Sequence, residues 1–153
     1  MSFEPVRSNV RFVQRHLRLN HIDNAQMVEA AVGSNDGVTL FEPHPSNAMG
    51  KGLRQRQYRR QARLARRAER IARHPDPVVM KIDVEGAELS VLEGATRMLA
   101  RCRPSIFLAT HGQKIHRDRC EFLRNAGYSL RALYESISSI DATDEILATP
   151  RDS

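Results

Sequence analysis

Residues 78–88 read Val-Val-Met-Lys-Ile-Asp-Val-Glu-Gly-Ala-Glu, and this stretch decides the fold. Val78 to Ile82 is apolar but for Lys81 and has the length of a strand, the pattern expected of a strand covered on both faces in a parallel sheet. The run stops at Asp83. The spacing predicts a helix from about Gly86 to Arg101, with Leu89, Leu92, Ala95 and Leu99 as its buried stripe. Glu85 and Glu88 stand at its beginning, where the helix dipole favours negative charge.

Downstream, Pro104 punctuates, and Ile106 to Ala109 is a second buried strand ending at Thr110-His111-Gly112. A helix over about 114–126 stops at Gly127, and Tyr128, Leu130, Ala132 and Tyr134 alternate as a strand. Residues after Ser136 are ambiguous and compatible with a last strand over 144–148. Upstream, Ser8 can cap a helix to about Leu19 with Val10, Val13 and Leu17 on one face and Asn20 near its end. Residues 26–32 read as a strand, residues 33–37 as a turn, and Val38 to Phe41 as another strand. After a loop over 42–52, alanines at 62, 65 and 68 and Ile71-Ala72 recur at helical spacing, so a helix is expected through the arginine-rich stretch until Pro75 and Pro77. Strands alternating with helices on short connections mean α/β with a largely parallel sheet. Ligands bind at the carboxyl ends of strands in such sheets, which selects Glu4, Asp83 with Glu85, and His111.

Composition bounds the class. With 153 residues, 41% of them hydrophobic, the chain is long enough for one domain with a real core. No apolar run approaches the roughly 20 residues of a membrane helix, and Met1-Ser2-Phe3-Glu4-Pro5 lacks the regions of a signal peptide. Cys102 and Cys120 are too few for a disulfide framework and too poorly spaced for a zinc site, which suits a reducing cytosol. A cytoplasmic protein with no membrane partner and no resident metal is expected. The net charge of +6 is local: residues 51–74 hold 10 of the 24 Lys and Arg and one acid, so +9 there leaves −3 for the remainder.

Lys81-Ile82-Asp83-Val84-Glu85-Gly86-Ala87-Glu88 resembles the most diagnostic motif of the FkbM-type methyltransferases. Phe3-Glu4-Pro5 with Ser8-Asn9 is similar to the end of that family's second strand. Ala31-Val32-Gly33 and Asp36 to Leu40 resemble its third strand and following hairpin, and Pro104 to His111 and Gly127-Tyr128 fit its later strands. The resemblance covers about 1–41 and 77–134. It implies a class I, Rossmann-like fold and S-adenosylmethionine-dependent methyl transfer, commonly onto a hydroxyl of a sugar or natural product. It places Glu4 and Pro5 at the cofactor's ribose, Ala31 and Val32 beside the adenine, and Asp83 at the mouth of the cleft near the methyl group.

Each position also has a plainer account. A carboxylate after the second strand can accept hydrogen bonds from both ribose hydroxyls, but an acid near an N-terminus is otherwise a solvated charge. Ala31 to Gly33 is equally an ordinary strand end and turn. Methyl transfer is an in-line displacement needing alignment and sometimes a base, for which Asp83, Glu85 and His111 are the candidates. His111 is also readable as an ordinary hydrogen-bonded loop histidine, and dipole stabilisation is the better account of Glu88. Lys81 needs its ammonium to reach water or find an acid.

Two departures stand out. The family has a first strand and a glycine-rich turn ahead of the segment at which residue 1 begins, and Gly50-Lys51-Gly52 is a poor substitute. Leaving a central strand out would orphan backbone groups at roughly 1–3 kcal/mol each, so a truncated copy, or one completed by a separately encoded N-terminal fragment, is expected. The arginine-rich insert at about 51–74 has no family counterpart, and Arg7 stands where proline is usual. The alternative reading is a basic module using Arg54, Arg56, Arg59, Arg60, Arg63, Arg66, Arg67, Arg70 and Arg73 against nucleic acid or an acidic surface. Tyr58 is the one aromatic interleaved there to stack on bases, which weighs against nucleic acid.

Overall fold

A computed structural model describes residues 1–41, 61–67, 76–84, 86–110, 113–134 and 136–151. They fall into two compact units, residues 1–31 with 36–66 and residues 32–35 with 67–153.

The first unit opens with a strand–helix–strand. Strand β1 (Ser2–Phe3) runs parallel to β2 (Met27–Val28), joined by helix α1 (Arg7–Leu19). Val10 is buried and Val13 and Leu17 half-buried, the face that the periodicity predicts. The cap differs from expectation. Val6, not Ser8, precedes the helix, and the Val6 N–H donates to Glu4 Oε1 at 2.7 Å. The strand expected over 26–32 is two, β2 and β3 (Ala31–Gly33), because the Ala30 N–H turns back onto the Val28 carbonyl and interrupts the extended chain.

The helix expected over 51–74 is not what residues 61–67 form. They make strand β5 (Gln61–Arg67), antiparallel to β4 (Gly37–Phe41), with Val38 opposite Leu64 and Leu40 opposite Ala62. A strand such as β4 leaves N–H and C=O groups needing partners, and pairing the two chains satisfies both sets where a helix would satisfy one. Local periodicity yields to that tertiary demand. The rest of the arginine-rich stretch, 51–60 and 68–74, lies outside the described residues.

The second unit is built on a four-stranded sheet in the order β6-β7-β9-β8, of β6 (Val79–Ile82), β7 (Ser105–Ala109), β8 (Tyr128–Ala132) and β9 (Glu145–Pro150). β6 and β7 are parallel, and β9 runs antiparallel to both β7 and β8. Three strands therefore point one way and one is inserted against them, so the sheet is only in part the parallel one expected.

One face carries Ile82, Ile106, Leu108, Ile146 and Ala148 into the core, where Leu92, Leu99, Leu123 and Tyr128 meet them. Each leucine and isoleucine among them contributes roughly 1.5–3 kcal/mol of burial. β6 is not buried on both faces as its sequence suggested: it is the outer strand, and Val79 is 57% exposed.

The helix predicted over 86–101 is broken. Helix α2 (Glu88–Gly94) ends at Ala95, helix α3 (Thr96–Cys102) begins there, and Thr96 Oγ1 donates to the Glu93 carbonyl at 2.8 Å. Gly94 sits so close to the Gly33 carbonyl that a Cβ would collide with it. Backbone touching backbone fixes where β3 ends relative to α2. Ser90 Oγ secures the same seam by accepting the Ser34 N–H at 3.0 Å. Helix α4 (Gln113–Asn125) leads into β8 as expected.

Candidate active site

The parallel register of β6 and β7 sets Ile82 beside Leu108. Both strands thus deliver the chain to one edge of the sheet, at Asp83 and at Thr110. This is the carboxyl edge at which α/β sheets bind ligands.

Asp83 is exposed, with its Oδ2 3.3 Å from the Lys81 ammonium. Lys81 thereby has both water and an acid, the two outlets its sequence position called for. Beyond Val84, the loop is held from below. Glu88 is fully buried, and its Oε1 accepts the Gly86 N–H at 2.7 Å. Its other oxygen, Oε2, lies 3.3 Å from Arg119 Nη2, a guanidinium that is itself buried. The same Nη2 donates to the Gly86 carbonyl at 3.0 Å. Gly86 has φ +102, a backbone conformation that side-chain-bearing residues rarely adopt. Glu88 is therefore more than the solvated dipole partner that its sequence position suggested: it and Arg119 grip both polar groups of one glycine.

A second buried network sits at the end of β7. The Thr110 N–H and hydroxyl both donate to the Asp144 carbonyl, at 2.7 and 3.2 Å. With that hydroxyl hydrogen committed, His116 Nδ1 must donate to Thr110 Oγ1, 2.8 Å away. His116 Nε2 is then the acceptor for the Cys120 thiol at 3.3 Å. Burial pushes the Cys120 thiol above its ordinary pKa, which keeps its proton available for that bond.

In the first unit Glu4 follows β1 directly and is half-buried. Its Oε1 is engaged by the Val6 N–H and its backbone N–H by the Val28 carbonyl at 3.1 Å. Pro5 separates the strand from α1. Ala31 and Val32 are half-buried in β3, and Val32 packs on the core of the second unit beside α2. Glu85 and His111 lie outside the described residues. So do Arg54, Arg56, Arg59, Arg60, Arg70 and Arg73, whereas Arg63, Arg66 and Arg67 belong to β5. No group of three or more His, Cys, Asp or Glu among the described residues has the arrangement of a metal site. No helix among them is long and apolar enough to cross a membrane.

Sequence reading missed Arg119 and His116. A signal for both was present, because His116, Arg119, Cys120 and Leu123 share one face of α4 at helical spacing and all are buried. A charged residue on a buried stripe demands a partner.

Comparison with known proteins follows this geometry. The family model for the methyltransferase FkbM domain matches residues 1–130. The chain belongs to the FkbM methyltransferase family. Methyltransferase FkbM from Methylobacillus flagellatus KT, a crystal structure, superposes with a TM-score of 0.61 at 22% identity. The alignment covers 96% of this chain and 35% of that one, so this chain spans about a third of that protein. The likeness shows a shared α/β fold. No curated protein matches the chain.

Proposed function

We propose that this FkbM-family chain is an S-adenosylmethionine-dependent methyl-transfer domain whose acceptor is a hydroxyl of a sugar or natural product. The observation that supports it best is the arrival of Asp83 and Thr110 at one sheet edge, within the segment that carries the family match.

The residues present suit one part of the cofactor. Glu4 has one oxygen on the Val6 N–H, which orients the carboxylate and leaves Oε2 to accept hydrogen bonds from ribose hydroxyls. Ala31 and Val32 offer a half-buried apolar strand end to a flat base. Bound S-adenosylmethionine would supply a methyl group activated by a sulfonium. Asp83, exposed at the carboxyl end of β6, is the group to orient an acceptor hydroxyl or take its proton, with Glu85 and His111 as companion candidates.

The small-molecule acceptor and the cytoplasmic location belong to the same reading. The basic-module alternative gains nothing from β5, whose arginines lie on a paired strand rather than along one continuous helix.

Isothermal titration with S-adenosylmethionine tests the proposal. Saturable heat that is lost in Glu4→Ala supports it, and no heat at millimolar cofactor overturns it for this chain acting alone.

A further inference from the structure

The Glu88–Arg119 pair is an odd structural element. Two charges removed from water carry a large desolvation cost, and apolar replacements of similar volume are often neutral or stabilising. A pair like this is therefore a poor source of stability. Its atoms are directed instead at a backbone. Glu88 Oε1 takes the Gly86 N–H at 2.7 Å, Arg119 Nη2 gives to the Gly86 carbonyl at 3.0 Å, and Oε2 and Nη2 hold one another at 3.3 Å.

The gripped glycine is itself exposed and stands three residues after Asp83. The grip comes from α2 and α4, and Ala87 beside the glycine is exposed as well. One guanidinium nitrogen, Nη2, carries two N–H donors and so serves the carbonyl and the carboxylate together.

We infer that Glu88 and Arg119 are positioning residues that fix the Gly86 peptide, three residues after Asp83, where the chain receives the cofactor and acceptor. The inference rests on the methyltransferase reading for its purpose but not for its geometry. Neither side chain touches reacting atoms. They act through the Gly86 peptide, which sets the course of the backbone that follows Asp83.

The test is the double variant E88L/R119M, which substitutes an apolar pair of similar bulk, compared with wild type and with Glu88→Gln, which keeps an acceptor for the Gly86 N–H. Three readouts are taken: thermal melting, amide hydrogen exchange, and titration with S-adenosylmethionine. The expected result is an unchanged or raised melting temperature, faster exchange confined to residues 83–88, and at least a tenfold loss of cofactor affinity that Glu88→Gln largely restores. Equal cofactor affinity in wild type and double variant overturns the inference. So does a fall in melting temperature with exchange spreading through α2 and α4, which marks the pair as a structural brace. If wild type itself gives no heat, the enzymatic reading fails separately and exchange decides the matter: unchanged protection of residues 83–88 overturns positioning, and selective loss there upholds it.

Discussion

The motif from Lys81 to Glu88 begins and ends in an ion pair, and the two pairs have the same length of 3.3 Å. Lys81 and Asp83 are 74% and 41% exposed, whereas Arg119 and Glu88 are 7% and 0% exposed. Distance is therefore silent about their worth. Water screens the first pair and competes for its charges, while the second is closed off and cannot be undone without stranding a charge in the core. One end of the motif is open to water, and the other is not.

The comparison is broken most severely by removing one member of the buried pair. Glu88→Ala leaves the Arg119 guanidinium buried without its carboxylate and is expected to cost about 3–5 kcal/mol, read from urea unfolding. Much of a typical domain stability would be lost. A smaller effect is expected at the seam beside α2. Gly94→Ala drives a methyl into the Gly33 carbonyl, and the shift needed to relieve it is expected to cost about 1–3 kcal/mol by the same measurement.

At the exposed end, Lys81→Ala should change stability by no more than about 1 kcal/mol, and added salt should shrink the difference further. A result as large as that of Glu88→Ala would erase the distinction between the two ends.

The smallest effect concerns an exposed pair away from the motif. Asp76 accepts from Arg101 at 2.7 Å, and this hydrogen bond, reinforced by one from Cys102, lowers the Asp76 pKa below 3.8. A carboxylate with a depressed folded pKa contributes stability that is present above its unfolded pKa and lost as pH falls through the folded one. Asp76→Asn should therefore slightly lower the melting temperature at pH 7, and the difference should shrink as pH falls below 3.8. A difference that persists undiminished at pH 2 would refute the charge-based account.

How much of this was readable in the sequence follows from where each signal resides. β7, α4 and the buried face of α1 were legible because their burial pattern is written in neighbouring residues, whereas for β6 the strand was legible but its burial was not. β5 was not, because its alanines fit a helix and only the open edge of β4, some twenty residues earlier, makes a strand the better answer. The break between α2 and α3 was hidden likewise: Gly94 looks like a weak helix residue until the backbone of Gly33 is found against it. At the site, Asp83 was visible as the polar residue that stops an apolar run. Arg119 was not, because its partner is 31 residues away and arginine in a helix ordinarily signals a wet surface. That Lys81 would reach water or an acid was anticipated by chemistry alone; that the acid is Asp83 was not.

The insertion of β9 between β7 and β8 has a consequence for how the protein comes into being. Synthesis runs from the first residue to the last, yet among the described residues β8 has no neighbour in its sheet except β9, made after it. Until residues 145–150 have left the ribosome, β7 and β8 each present an open border on either side of an empty slot. Such borders invite mispairing with other chains. The last strand thus acts as the keystone of the second unit, and nascent chains arrested before it should be the ones that chaperones hold longest.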